Sequence, residues 1–113
     1  MSHREGSVRL RQMLDHAREA VAMAAGKTRD NLDTDRQFNL APVRLLEIVG
    51  EAAGRTTAEE RQRCSSIPWG QITGLRNRLV HGYDSVDFDV LWQIISADLP
   101  KLVTDLEQCL ATD

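Results

Sequence analysis

Aromatic residues are few: two Trp, two Phe and a single Tyr in 113 residues. That excludes an interior built on stacked rings and leaves Leu, Ile, Val and Ala to fill the core. No apolar run approaches the ~20 residues that a helical membrane span needs, and the opening stretch MSHREGSVRL has no apolar signal-peptide core. Basic residues are in the minority, 14 Lys and Arg against 17 Asp and Glu. A protein that coats nucleic acid non-specifically carries the opposite balance, so any contact with RNA has to be local. Cysteine is limited to Cys64 and Cys109, whose positions bear no metal-site relation to each other or to histidine. They read as reduced thiols of a cytoplasmic protein, not as a disulfide framework or a zinc site. A glycine-rich phosphate loop and a nucleophile elbow are also missing, and no cofactor is expected. Apolar and polar residues nowhere alternate for long, so no strand is expected.

What the chain does have is helical periodicity. Its length suits one domain, 1–113. A first helix is expected over about Ser7–Ala25, with Val8, Leu14, Ala17, Val21 and Ala24 on one stripe and Gly26 as its stop. A second should begin near Asp33 or Thr34 and run to about Gly54 on Phe38, Leu45, Leu46, Val49 and Ala52, kinked at Pro42. TAEERQRC suggests a short helix with Thr57 as cap and Glu60 completing a capping box. A further helix should start near Ser66 or Pro68 and stop at Gly82. The last, from near Asp87 to about Leu110, keeps its spacing through Pro100 on Leu91, Ile95, Leu99, Leu102, Leu106 and Leu110, as one bent helix or two collinear ones. The expected fold is all-α, an antiparallel bundle of four main helices with one short extra helix.

Against this ordinary background, residues 76–83 read RNRLVHGY. On a continuous helix Asn77 and His81 would share a face, and Arg76, ~100° round, could swing its long side chain toward them. Histidine exchanges protons near neutral pH, so it can serve a ribose hydroxyl or a leaving oxygen. Arginine offers a planar fork for phosphate oxygens and can stabilise charge that builds in a transition state. Those parts suit metal-independent phosphodiester cleavage. The plainer readings are a histidine placed against a helix dipole, an asparagine bonding locally and a tyrosine at the core edge. An Arg with a His five positions on is common by chance and says little alone.

Other positions are weaker candidates. Glu51 could pair with Arg55 on an exposed helix face, or orient Arg76 or His81 from the second helix. Arg61 and Arg63 could extend a phosphate-binding surface or simply line a solvated face. His3 and His16 read as surface, and Trp69 and Trp92 as core anchors.

RNRLVHGY resembles the Arg-x4-His-x-Tyr motif of the HepT-like branch of the HEPN superfamily. LLEIVGEAAGR (45–55) is similar to that family's second-helix signature, IPWGQITGLRN (67–77) to the approach to the motif, and VDFDVLWQIISADLPKL (86–102) to the segment after it. The resemblance implies an all-helical homodimer whose two motifs meet in one cleft and cleave RNA without metal. Arg76 and His81 would then be the catalytic pair and Asn77 their polar neighbour; two-fold symmetry could add Arg78 to one basic cleft, and Glu51 is kept as a support on the residue reading alone. The resemblance also implies a partner, an MNT-type minimal nucleotidyltransferase antitoxin that adds AMP to the motif tyrosine, here Tyr83. Two other functions compete with a ribonuclease toxin: a non-catalytic module that binds a nucleotide or presents substrate to a nucleotidyltransferase, and a plain helical dimerisation domain. Pro42 and the polar stretch DNLDTDRQ are less typical of the family.

Overall fold

A computed structural model describes residues 3–81 and 85–111, with the side chains of 3–6 and 81 outside it. Three long helical stretches frame it. α1 spans His3–Ala24, α3 spans Arg36–Gly54, and a composite C-terminal helix joins α7 (Phe88–Gln93), a π-helical turn (Ile94–Asp98) and α8 (Leu99–Ala111). Short helices fill the connections: α2 (Asn31–Thr34), α4 (Ala58–Arg63), α5 (Trp69–Thr73) and α6 (Leu75–Leu79). Two residue pairs, β1 (Val80–His81) and β2 (Ser85–Val86), form an antiparallel ladder with Val80 opposite Val86 and His81 opposite Ser85. Among the described residues no helix is long and apolar enough to cross a membrane.

α1 lies against both α3 and α8, and α3 also supports α5 and α6. The contact face of α1 is Leu10, Met13, Leu14, Ala17 and Ala20, all buried. Val8, expected on this stripe, is 57% exposed. Leu10 and Met13 are the better fit because their spacing to Leu14, Ala17 and Ala20 follows the 3.6-residue period without drift. Gly26, at φ 75°, ends the helix in the left-handed region, where a side chain would be strained. On α3 the expected apolar residues Phe38, Leu45, Leu46, Val49 and Ala52 are all buried. Asp35 caps α3 by accepting the Phe38 N–H at 3.1 Å, and the helix runs through a buried Pro42 without ending.

The composite helix carries Leu91, Ile95, Leu99, Leu102 and Leu106 into the core, with Leu110 partly buried. Pro100, lacking an N–H, cannot complete the α-helical ladder, and the wider π turn directly before it shifts the register at that place. Trp92 packs edge-on to Phe38 at 6.5 Å between ring centroids. Trp69 is half-buried and its indole N–H donates to the carbonyls of Arg61 and Cys64, so both tryptophans do serve as anchors.

Three expectations need correction. Cys64, at the C-cap of α4, is joined to Cys109, near the end of α8, in a disulfide with Cα atoms 5.7 Å apart. Their separation of 45 residues concealed a pairing that only the fold creates. The helix expected from Ser66 or Pro68 to Gly82 is two short ones. Gly74, at φ −90° and ψ 7°, forms the joint, and α6 ends at Val80, whose φ −100° and ψ 123° are extended. His81 therefore lies on a strand and not in a helical turn, so it is not one helical turn beyond Asn77. A β-branched Val80 paired with Val86 favours the extended form here.

Candidate nucleic-acid cleavage site

α3 and the α5–α6 segment meet closely because Gly50 has no side chain. A Cβ there would lie 3.4 Å from the Ile72 carbonyl oxygen, at the limit of ordinary contact. Thr73 at the end of α5 bonds back to the carbonyls of Trp69 and Gly70, at 3.1 and 3.2 Å, holding the last turn before the Gly74 joint. Past that joint α6 turns Arg76 back toward α3. The outcome is a cleft of ≈190 Å³ walled by Leu46, Glu47, Gly50, Glu51, Thr73 and Arg76.

Arg76 and Asn77 are both exposed. Arg76 shares the cleft with Glu51, although the carboxylate and guanidinium are not joined as an ion pair among the described residues. The alternative Glu51–Arg55 pair is not formed among them either; Arg55 serves as the C-cap of α3. A guanidinium on a cleft wall without a tight carboxylate partner keeps its donors available for an incoming anion.

Arg78 faces elsewhere. Two residues on, and so ~200° round α6, it pairs with Asp98 at 3.2 Å and lines a separate, smaller pocket beside Pro68 and Lys101. Within a protomer Arg76 and Arg78 thus face different sides: Arg76 the α3 side, Arg78 the side of the C-terminal helix. Arg61 and Arg63 are both engaged in contacts within the fold. Arg61 stacks on Trp69 at 5.3 Å and donates to the Ala53 carbonyl, and Arg63 makes a two-pronged pair with the buried Glu60. Glu60 was expected to close a capping box; the Thr57 hydroxyl does accept its N–H, at 3.1 Å, while its carboxylate serves Arg63.

His81 follows α6 by two residues, so its backbone is fixed beside the cleft-bearing segment by the β1–β2 pair. Its imidazole, the Gly82 stop and Tyr83 lie outside the described residues. His16 is on the surface side of α1, its Nδ1 2.7 Å from the Gln12 carbonyl oxygen.

The groove beside α3 is the feature that sequence reasoning missed. Arg36, Leu40 and Arg44 line it with Val43, Glu47 and Phe88. Its sequence signal was Leu40, an apolar residue off the helix's buried stripe, which is 52% exposed.

Comparison with known proteins bears on what this arrangement is for. A Methanocaldococcus jannaschii protein provisionally named an RNase is 30% identical over 107 residues, 95% of this chain and 98% of its own. One from Caldanaerobacter subterraneus subsp. tengcongensis, with the same provisional name, is 30% identical over 101 residues, covering 89% and 90%. A Thermococcus cleftensis protein provisionally named ribonuclease HepT is 30% identical over 99 residues, covering 84% and 90%. No solved structure gives a significant match. Residues 13–109 match the family model described as Ribonuclease HepT-like, a span that takes in the α3 wall, the Gly74 joint, Arg76 and β1. Cleft and motif both fall inside that match, and the chain belongs to the HepT-like family of the HEPN superfamily.

Proposed function

We propose that this protein is a metal-independent endoribonuclease, the toxin of a toxin–antitoxin pair that acts as a cytoplasmic homodimer. The observation that carries the proposal is the placement of Arg76. It is exposed, it walls a cleft against α3, and it stands on the short helix that leads directly into His81, in a chain of the HepT-like family. In the proposed reaction the His81 imidazole takes the proton of a ribose 2′-hydroxyl, and that oxygen attacks the adjacent phosphorus. The bond to the 5′-oxygen breaks, that oxygen takes up a proton, and a 2′,3′-cyclic phosphate and a 5′-hydroxyl remain. Arg76 stabilises the charge on the non-bridging oxygens with its fork of donors. Asn77 bonds the same phosphate or its ribose, and Glu51 supports the site from the same cleft lining.

Two-fold symmetry would set two such sites side by side, letting one protomer's His81 act as base and its partner's as acid. It would also bring both Arg78 side chains near the shared cleft, where one protomer alone keeps Arg76 and Arg78 apart. The antitoxin would be an MNT-type nucleotidyltransferase that adds AMP to Tyr83. The added phosphate and nucleoside would block RNA by charge repulsion and bulk.

The deciding experiment incubates unmodified protein and its His81→Ala variant with total cellular RNA in EDTA, and identifies product ends by mass spectrometry. Cleavage by the wild type alone, leaving 2′,3′-cyclic ends, is expected. If neither cuts while intact mass shows Tyr83 unmodified, the chain is instead a nucleotide- or substrate-binding module for a nucleotidyltransferase.

A further inference from the structure

The groove beside α3 and the Arg76 cleft adjoin: Glu47 lines both, so the two lie one after the other along α3 between Arg36 and Glu51. Arg36, Leu40 and Arg44 are spaced four apart and exposed, which stacks them along one edge of the helix. Arg36 has no ion pair among the described residues, and Arg44 has only a long contact with Glu47, at 3.4 Å with the arginine 64% exposed. The groove volume is ≈500 Å³, and Leu40, Val43 and Phe88 give it apolar surface between the cations. Groove and cleft together are lined by three arginines and two glutamates, the reverse of the balance in the full chain, where 17 acidic residues outnumber 14 basic ones.

Cations interleaved with apolar and aromatic surface suit a single nucleic-acid strand, with phosphates on the guanidiniums and bases against the apolar steps. We infer that this groove is a subsite for the single-stranded RNA flanking the scissile bond, with Arg36 and Arg44 on its phosphates and Leu40 and Phe88 against its bases. This rests on the ribonuclease proposal above, which it deepens by fixing where the strand runs. Eight residues of helix set the two arginines about 12 Å apart along the axis, far enough to hold different phosphates of one strand. Cleavage should therefore depend on substrate length, and on charge at positions distant from the bond.

The test compares wild type with an Arg36→Ala/Arg44→Ala double variant. A labelled 12-nucleotide RNA, 2′-O-methylated so that it cannot be cut, is titrated by fluorescence anisotropy over a salt series. Unmethylated 12-mer and tetranucleotide are assayed for cleavage, and light scattering gives the mass in solution. The double variant should bind the 12-mer roughly tenfold more weakly, with a salt slope reduced by about 1.4 for two lost phosphate contacts. It should cut the 12-mer correspondingly slowly and the tetranucleotide at the wild-type rate. An unchanged affinity and salt slope would overturn the subsite even if the wild type is a nuclease. A dimer that becomes a monomer in the double variant would also overturn it, marking the groove as a contact between two copies. If binding depends on both arginines while nothing is cut, the RNA track stands and the nuclease proposal falls.

Discussion

Arg76 and Glu51 show what a single side chain can contribute here. They share a cleft wall without closing into an ion pair, so removing the arginine leaves no buried charge stranded, and its loss should be felt in chemistry more than in folding. Arg76→Ala should lower kcat/KM for RNA by about 10²–10³, as loss of one transition-state donor does, with the melting temperature nearly unchanged. Arg76→Lys should recover only part of the loss, because an ammonium cannot reproduce the fork. A large fall in melting temperature as the main effect of Arg76→Ala would make the residue structural. Asp35 supports a second prediction at this scale. The Phe38 N–H, and after it the Lys27 ammonium, hold its carboxyl below the usual carboxylate range. A depressed folded-state pKa contributes stability above the unfolded value, near 3.9, and loses it as pH falls through the lower folded value. The melting-temperature gap between wild type and Asp35→Asn should therefore be widest above pH ~4 and close below it. A gap independent of pH would show that the charge contributes nothing.

At the scale of elements, packing between α3 and α5 sets the geometry of the cleft. Gly50→Val would press a branched side chain on the Ile72 carbonyl, which already stands 3.4 Å from a bare Cβ position. Overpacking of this kind costs about 1–3 kcal/mol. It should also lower RNA cleavage, because the wall carrying Thr73 and Arg76 has to move away. Thermal unfolding and cleavage rates of Gly50→Ala and Gly50→Val, compared side by side, check this; the alanine should be close to neutral in activity. How legible the elements were in the sequence follows from their length. α3 could be read because Phe38, Leu45, Leu46, Val49 and Ala52 repeat its period over many turns. The break at Gly74 could not, since one glycine within helical spacing looks the same whether the helix continues or turns. Nor could β1 and β2, each two residues long and too short to show alternation. So the residue types of the candidate site were legible while their arrangement was not. The motif gave Arg76, Asn77 and His81, but it took the Gly74 joint to aim α6 so that Arg76 meets α3 and Arg78 meets Asp98, and the strand pair to place the His81 backbone.

For the whole molecule, the Cys64–Cys109 bond ties the connection that precedes α5 and α6 to the end of the C-terminal helix. Arg63, next to Cys64, reinforces the same junction by donating to the Cys109 carbonyl at 3.4 Å. A cross-link between residues 45 apart in sequence restricts the unfolded chain, and such a restriction is worth roughly 2–4 kcal/mol. The cytoplasm proposed for this protein reduces accessible disulfides, but Cys64 and Cys109 are only 2% and 9% exposed. A reductant has to wait for the α4–α8 junction to open, so the bond's lifetime should follow local unfolding and not thiol concentration. Three measurements follow from this. Thiol titration of native, non-reduced protein should find no free cysteine. The rate of reduction by dithiothreitol should level off as the reductant is raised. Cys64→Ser/Cys109→Ser should unfold at the temperature of the reduced wild type and stop responding to reductant. Reduction that stays proportional to dithiothreitol would mean the junction is open enough for a cell to remove the bond. The helices holding Arg76 would then be kept in place by the shared hydrophobic core alone.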